Sequence, residues 1–107
     1  MQHLSVTELA AWIADPARPT PVLLDVREPW ELDTCRIDGA LSIPMRSIPA
    51  RLSELKEDVS LVCICHHGMR SLQVAHYLEQ HGYLAVLNLT GGVDAWARRI
   101  DPTMPLY

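Results

Sequence analysis

Short apolar runs alternate along this chain with stretches of helical spacing. Val22-Leu23-Leu24, Leu61-Val62-Cys63-Ile64-Cys65 and Ala85-Val86-Leu87-Asn88-Leu89 show little polar alternation, so each reads as a strand buried on both faces. Ala40-Leu41-Ser42-Ile43-Pro44 is a further short strand. Ser5-Val6-Thr7-Glu8 opens a helix, because Ser5 can cap its end and Glu8 completes a capping box. Leu9, Trp12 and Ile13 then share one face, and Pro16, Pro19 and Pro21 close the element. Pro29 suits the first position of a short helical turn at Glu28-Pro29-Trp30-Glu31, and Ile48 to Glu54 predicts a short helix. Arg70 to His81 places Leu72, Val74, Ala75 and Leu78 at core spacing and ends at Gly82. Val93 to Arg99 is a last helix with Trp96 facing inward, followed by a short Pro-containing tail. Strands alternating with helices imply an α/β fold with parallel pairing and right-handed crossovers. Ligands in such sheets sit beyond the C-terminal ends of the strands. Two places qualify: the loop after Cys65 and the turn after Leu24.

A length of 107 residues suits one domain, expected to span 1–107 without repeat or linker. The net charge of −4 argues against a nucleic-acid groove or an anionic membrane as partner, but leaves room for a small anionic substrate. Apolar stretches stop at about six residues, where a bilayer span needs about 20. The N-terminal residues lack a basic start and an apolar signal core, so a cytoplasmic location is expected. Three cysteines, Cys35, Cys63 and Cys65, fit reduced thiols better than a disulfide framework. Cys63-Ile64-Cys65 falls short of the four ligands of a structural zinc site, and no metal is expected.

Cys65-His66-His67-Gly68-Met69-Arg70-Ser71 leaves a buried strand and enters a helix. A tight loop there aims successive backbone N–H groups at one point, and the helix N-terminus adds positive potential. A cysteine at the first position of such a loop is expected to act as a nucleophilic thiolate. Gly68 permits positive φ or close approach, Arg70 adds a cation for an oxyanion, and Ser71 can donate or accept at the helix start. Cys63 lies mid-run and reads as core. His66 and His67 are open to two readings, solvated loop residues or participants in proton transfer and substrate contact.

Three ordered segments resemble signatures of the rhodanese-like domain family. Leu23-Leu24-Asp25-Val26-Arg27-Glu28 is similar to its first motif, and Cys65 to Ser71 to its active-site loop, C-x-x-G-x-R-S. Leu89-Thr90-Gly91-Gly92-Val93-Asp94-Ala95-Trp96 resembles its C-terminal L-x-G-G-x-x-A-W. The resemblance implies a central parallel five-stranded sheet with helices on both faces, in the family's single-domain form. It also implies a thiosulfate-type sulfurtransferase with Cys65 as the catalytic, persulfide-bearing residue. His66, His67, Gly68, Met69, Arg70 and Ser71 would then bind the persulfide and the donor's anionic end. Asp25 and Arg27 would support them by bracing a strand end. No cofactor is implied. The partners would be a small anionic sulfur donor, a thiol or cyanide-like acceptor and a sulfur-relay protein. Cys35-Arg36-Ile37-Asp38-Gly39-Ala40-Leu41-Ser42-Ile43-Pro44 departs from the family's G-H-I-P-G-A-x-N-I-P, with Cys35 expected as a half-exposed bystander.

Two other functions fit parts of the pattern. A cysteine-dependent phosphatase or arsenate reductase also uses a thiolate in an amide cradle, but such loops resemble C-x5-R. Here only four residues separate Cys65 from Arg70, and Ile64 stands where many tyrosine phosphatases have histidine. A non-catalytic binding module of the same family would lack the loop cysteine, which is present.

Overall fold

The computed structural model describes residues 1–107. Five parallel strands form its sheet: β1 (Gln2–Leu4), β2 (Val22–Asp25), β3 (Leu41–Ser42), β4 (Leu61–Ile64) and β5 (Val86–Leu89), in the order β1-β5-β4-β2-β3. The helices are α1 (Val6–Ala14), α2 (Pro29–Thr34), α3 (Met69–Gln80) and α4 (Gly92–Arg99). The sheet and helices agree with the α/β expectation.

Side chains of a strand point alternately to its two faces, and β4 shows the consequence. Leu61, Cys63 and Cys65 join Leu24, Val74, Ala75, Leu78 and Tyr83 in the core on the α3 side. Val62 and Ile64 face the other way, into a core with Leu9, Trp12, Leu23, Leu87 and Val93 from α1, β2, β5 and α4. Burying each such aliphatic side chain contributes roughly 1.5–3 kcal/mol.

The capping box forms as the sequence predicts: the Ser5 hydroxyl accepts from the Glu8 N–H and Glu8 accepts from the Ser5 N–H. Other details differ. Val6, Leu9 and Trp12 make the buried face of α1, while Ile13 is exposed. The segment expected as a helix from Ile48 is two 3₁₀ stretches, Met45–Ser47 and Pro49–Glu54, with Arg51 outside helical geometry. Pro49 supplies no N–H, and a short segment gains little from an i→i−4 ladder. Cys35 is buried rather than half-exposed, at 8%. It ends α2 and packs beneath Arg27, whose Nη2 donates to its carbonyl at 2.7 Å. β1 was not signalled by any apolar run; it exists because it pairs with β5, Gln2 opposite Leu87 and Leu4 opposite Leu89.

Chain direction positions the site. From β2 the chain passes through α2 outward to β3, while from β4 it passes through α3 the opposite way to β5. The C-terminal ends of neighbouring β2 and β4 therefore diverge into a crevice, a topological switch point. Asp25 and Ile64 face each other at its base. No helix is long and apolar enough to cross a membrane.

Candidate active site

Cys65 is the first residue past β4 and its side chain is almost fully buried, at 1%. The following residues turn sharply, and Gly68, with φ of +106°, caps α3 in a left-handed conformation. That turn brings the Gly68 N–H to 3.0 Å from Cys65 Sγ and the Ser71 Oγ to 3.3 Å. The hydroxyl also lies 2.5 Å from Asn88 Oδ1, and Asn88 Nδ2 donates to the Gly68 carbonyl at 3.2 Å. Ser71 has one hydrogen for two acceptors, and the shorter contact holds it until a more strongly charged sulfur competes.

The loop's carbonyls are turned away from this point by α4. Val93 N–H donates to the Cys65 carbonyl at 2.9 Å and Asp94 N–H to the His66 carbonyl at 3.1 Å. Gly92 makes that approach possible: a Cβ there would overlap both carbonyl groups. In a trans peptide the N–H points opposite to the C=O, so the N–H groups of His66 and His67 face away from α4. The backbone N–H groups of His66, His67, Met69, Arg70 and Ser71 donate to no acceptor within the protein. Five free donors on one turn, at the start of a 12-residue helix, make an anion cradle.

Around the cradle the charged groups are paired. Asp25 and Arg27, both buried, face each other with Nε 3.0 Å from Oδ1 and Nη2 2.8 Å from Oδ2. Arg27 also donates to the Tyr107 hydroxyl at 3.1 Å, and so ties the strand end to the tail. Arg70 is not a free cation. Its Nη1 and Nη2 donate to the two carboxylate oxygens of buried Glu31 at 2.6 and 2.8 Å. Those bonds, more than any other contact, hold the Glu31 carboxyl down to about 2. Tyr107 donates to the same carboxylate at 2.5 Å, while burial raises its own hydroxyl to about 12. Its ring stacks on His66 at 3.8 Å.

The loop histidines therefore differ. His66 is half-buried between Tyr107 and His67, its Nε2 has no partner, and burial lowers it from its ordinary value. His67 is mostly exposed, 3.9 Å from Asp94. Met69 is 70% exposed at the rim. Cys63, two residues before Cys65, is sealed in the core, and burial pushes its thiol up to about 12.

The structure thus gathers Cys65 to Ser71 into one turn, while Asp25, opposite Ile64 in the sheet, pairs with Arg27. Sequence reasoning passed over Asn88, Glu31, Gly92 and Tyr107. Asn88 carried a signal, being the one polar residue in an otherwise apolar strand. Tyr107 carried none, since nothing local ties a tail residue to a site.

A family model for the rhodanese-like domain matches residues 5–99. Among curated proteins, the chain is 48% identical over 77 residues to a sulfurtransferase of Allochromatium vinosum, covering 72% of each. It is 40% identical over 80 residues to the putative sulfurtransferase YtwF of Bacillus subtilis, covering 75% of this chain and 77% of that one. Other relatives are longer: the chain spans 38% of an Arabidopsis thaliana protein named as rhodanese-like/PpiC domain-containing, at 33% identity. A solved Staphylococcus saprophyticus structure aligns with TM-score 0.84 and 37% identity, covering 94% of this chain and 97% of that one. The human single-domain sulfurtransferase aligns with TM-score 0.82 and 26% identity, covering 92% and 97%. A buried cysteine at the floor of the amide turn, the strand order and these likenesses agree, and the chain belongs to the rhodanese-like domain family.

Proposed function

We propose that this chain is a sulfurtransferase that moves a sulfane sulfur through a persulfide on Cys65. The observation that carries the reading is the sulfur at the floor of a turn whose N–H groups are free. The Cys65 thiolate attacks the outer sulfur of a donor such as thiosulfate. A new S–S bond forms, the donor's own S–S bond breaks, and its electron pair leaves with sulfite. The transferred sulfur then sits where the amides of His66 to Ser71 converge, and the Ser71 hydroxyl turns toward it. A thiol or cyanide attacks that outer sulfur and restores Cys65. Neither step requires a metal or an organic cofactor.

Relatives named as sulfurtransferases support this reading. Another, 33% identical over 79 residues, is a putative sulfur carrier protein of Bacillus subtilis, which supports a sulfur-relay protein as partner. The reading places the chain, as one independent domain, in a reducing compartment such as the cytoplasm, in keeping with three free cysteines. Asp25 and Arg27 hold the end of β2 against the loop. Intact-mass measurement after incubation with thiosulfate tests the proposal. Cys65 should gain one sulfur atom, lose it to cyanide, and gain none as Cys65→Ser. A protein that gains no sulfur, or gains it equally without Cys65, is not a transferase of this kind.

A further inference from the structure

Three arginines around the Cys65 loop are each matched by a carboxylate. Arg27 pairs with Asp25, Arg98 with Asp94 and Arg70 with Glu31. Only the Arg70 pair involves the loop itself, and it is made with two parallel hydrogen bonds, the strongest form such a contact takes. Glu31 is well held. It stands on α2, which follows β2, and reaches across the crevice to the start of α3, which follows β4. Beyond Arg70 it accepts from the Glu28 N–H at 3.0 Å and from the Tyr107 hydroxyl. With its carboxyl held at about 2, it stays ionised at any pH near neutrality.

The net charge beside the sulfur is therefore close to zero, although the loop contains an arginine. What remains to attract a donor is the set of free N–H dipoles, which any sulfur anion satisfies at short range. A net positive charge would reward a second negative charge on the donor, and Glu31 removes that reward. We infer that Glu31 is a specificity-determining residue that, by neutralising Arg70, favours singly charged sulfur donors over dianionic ones. The inference rests on the sulfur-transfer reading above. Alkyl thiosulfonates and thiosulfate present the same reaction: Cys65 forms a bond to the terminal sulfur, the donor's S–S bond breaks, and the electron pair leaves on sulfinate or sulfite. They differ by one unit of charge.

The test compares methanethiosulfonate, a monoanion, with thiosulfate, a dianion, by the rate at which each loads sulfur onto Cys65 in intact-mass time courses. Taking the ratio of the two rates within one protein cancels any loss of folded fraction and any general loss of Cys65 reactivity. Glu31→Gln keeps the shape and an acceptor but removes the charge, and should raise the thiosulfate to thiosulfonate ratio about tenfold, the scale of one charge-assisted contact. Arg70→Gln leaves Glu31 uncompensated and should lower the ratio by about the same factor. A ratio that stays within about twofold of wild type in Glu31→Gln overturns the role of Glu31 while leaving sulfur transfer standing. If neither donor loads sulfur onto wild-type Cys65, the transfer reading itself falls and this inference with it.

Discussion

The largest cavity of the molecule, about 690 Å³, opens where β4 and β5 begin, between Met1, Leu4, Trp12, Arg18 and Leu84. The Cys65 turn lies at the opposite end of the same strands and has no comparable volume. Yet every buried polar or charged side chain, Asp25, Arg27, Glu31, Ser71 and Asn88, stands at the Cys65 end. The groove offers a tryptophan whose indole donates to the Pro19 carbonyl, with Arg18 stacked over its ring. The groove has volume without a cysteine, while the turn has a buried cysteine and free N–H groups with little volume. The difference follows from parallel strands: all their C-terminal ends meet at one edge, where helix N-termini also gather. The chemistry of this fold follows chain direction rather than cavity size.

The sharpest way to break that comparison is to disarm each end in turn. Cys65→Ser should abolish sulfur loading, whereas Leu84→Ser, at a side chain already in water, should leave the rate within about twofold and stability within about 0.5 kcal/mol. Loss of activity from the groove substitution would show that both ends take part. The next largest effect is expected at Gly92. A Cβ there collides with the Cys65 and His66 carbonyls, backbone against backbone, so Gly92→Ala must displace the turn. A shift of about 1 Å costs on the order of a hundredfold in rate. Gly82→Ala is the control: its φ is +92° but nothing lies near its Cβ. It should cost about 1 kcal/mol of stability and leave the rate of the folded protein unchanged. Equal rates for the two alanine variants would mean that α4 does not shape the loop.

Much of this was legible locally. The Ser5–Glu8 box, the unalternating run of β4 and the spacing of Val74, Ala75 and Leu78 are set by neighbours a few residues apart, and the structure keeps them. The Cys65 turn was legible for the same reason: strand, Gly68 and helix start are contiguous. What escaped depends on distant partners. β1 has three residues and is a strand only because β5 lies beside it. Arg70 reads as a free cation until Glu31, 39 positions away, is placed against it. Cys35 reads as half-exposed until Arg27 and the tail cover it. Each of these contacts closes a long loop, which leaves no periodic trace in the sequence.

A smaller effect is expected behind the turn. Asn88→Ala removes the donor to the Gly68 carbonyl and the acceptor for Ser71, leaving buried groups unsatisfied at a cost of about 1–3 kcal/mol. The melting temperature should fall by several degrees, at about 4–8 °C per kcal/mol. Sulfur loading should slow about tenfold, because the Ser71 hydroxyl and Gly68 lose their fixed positions. Ser60→Ala, at the groove end, should change neither. An Asn88→Ala protein that melts early but loads sulfur at the wild-type rate would make Asn88 a fold residue only.

The smallest effect contrasts a half-buried pair with a surface one. Arg70 holds the Glu31 carboxyl at about 2 in the folded chain, below its ordinary 4.5. A carboxylate shifted down stabilises the fold fully above its unfolded value, and that contribution is lost as pH falls through the folded value. The window here runs from 4.5 to about 2. Arg51 also lowers Glu54, but both side chains are well exposed and water screens their pairing. Melting curves across the window should therefore separate the two sites. The difference in melting temperature between wild type and Glu31→Gln should be a few degrees at neutral pH and shrink steadily toward the acid end. The Glu54→Gln curve should run parallel to wild type throughout. Parallel curves for Glu31→Gln would mean that its pairing with Arg70 adds nothing to the stability of the turn.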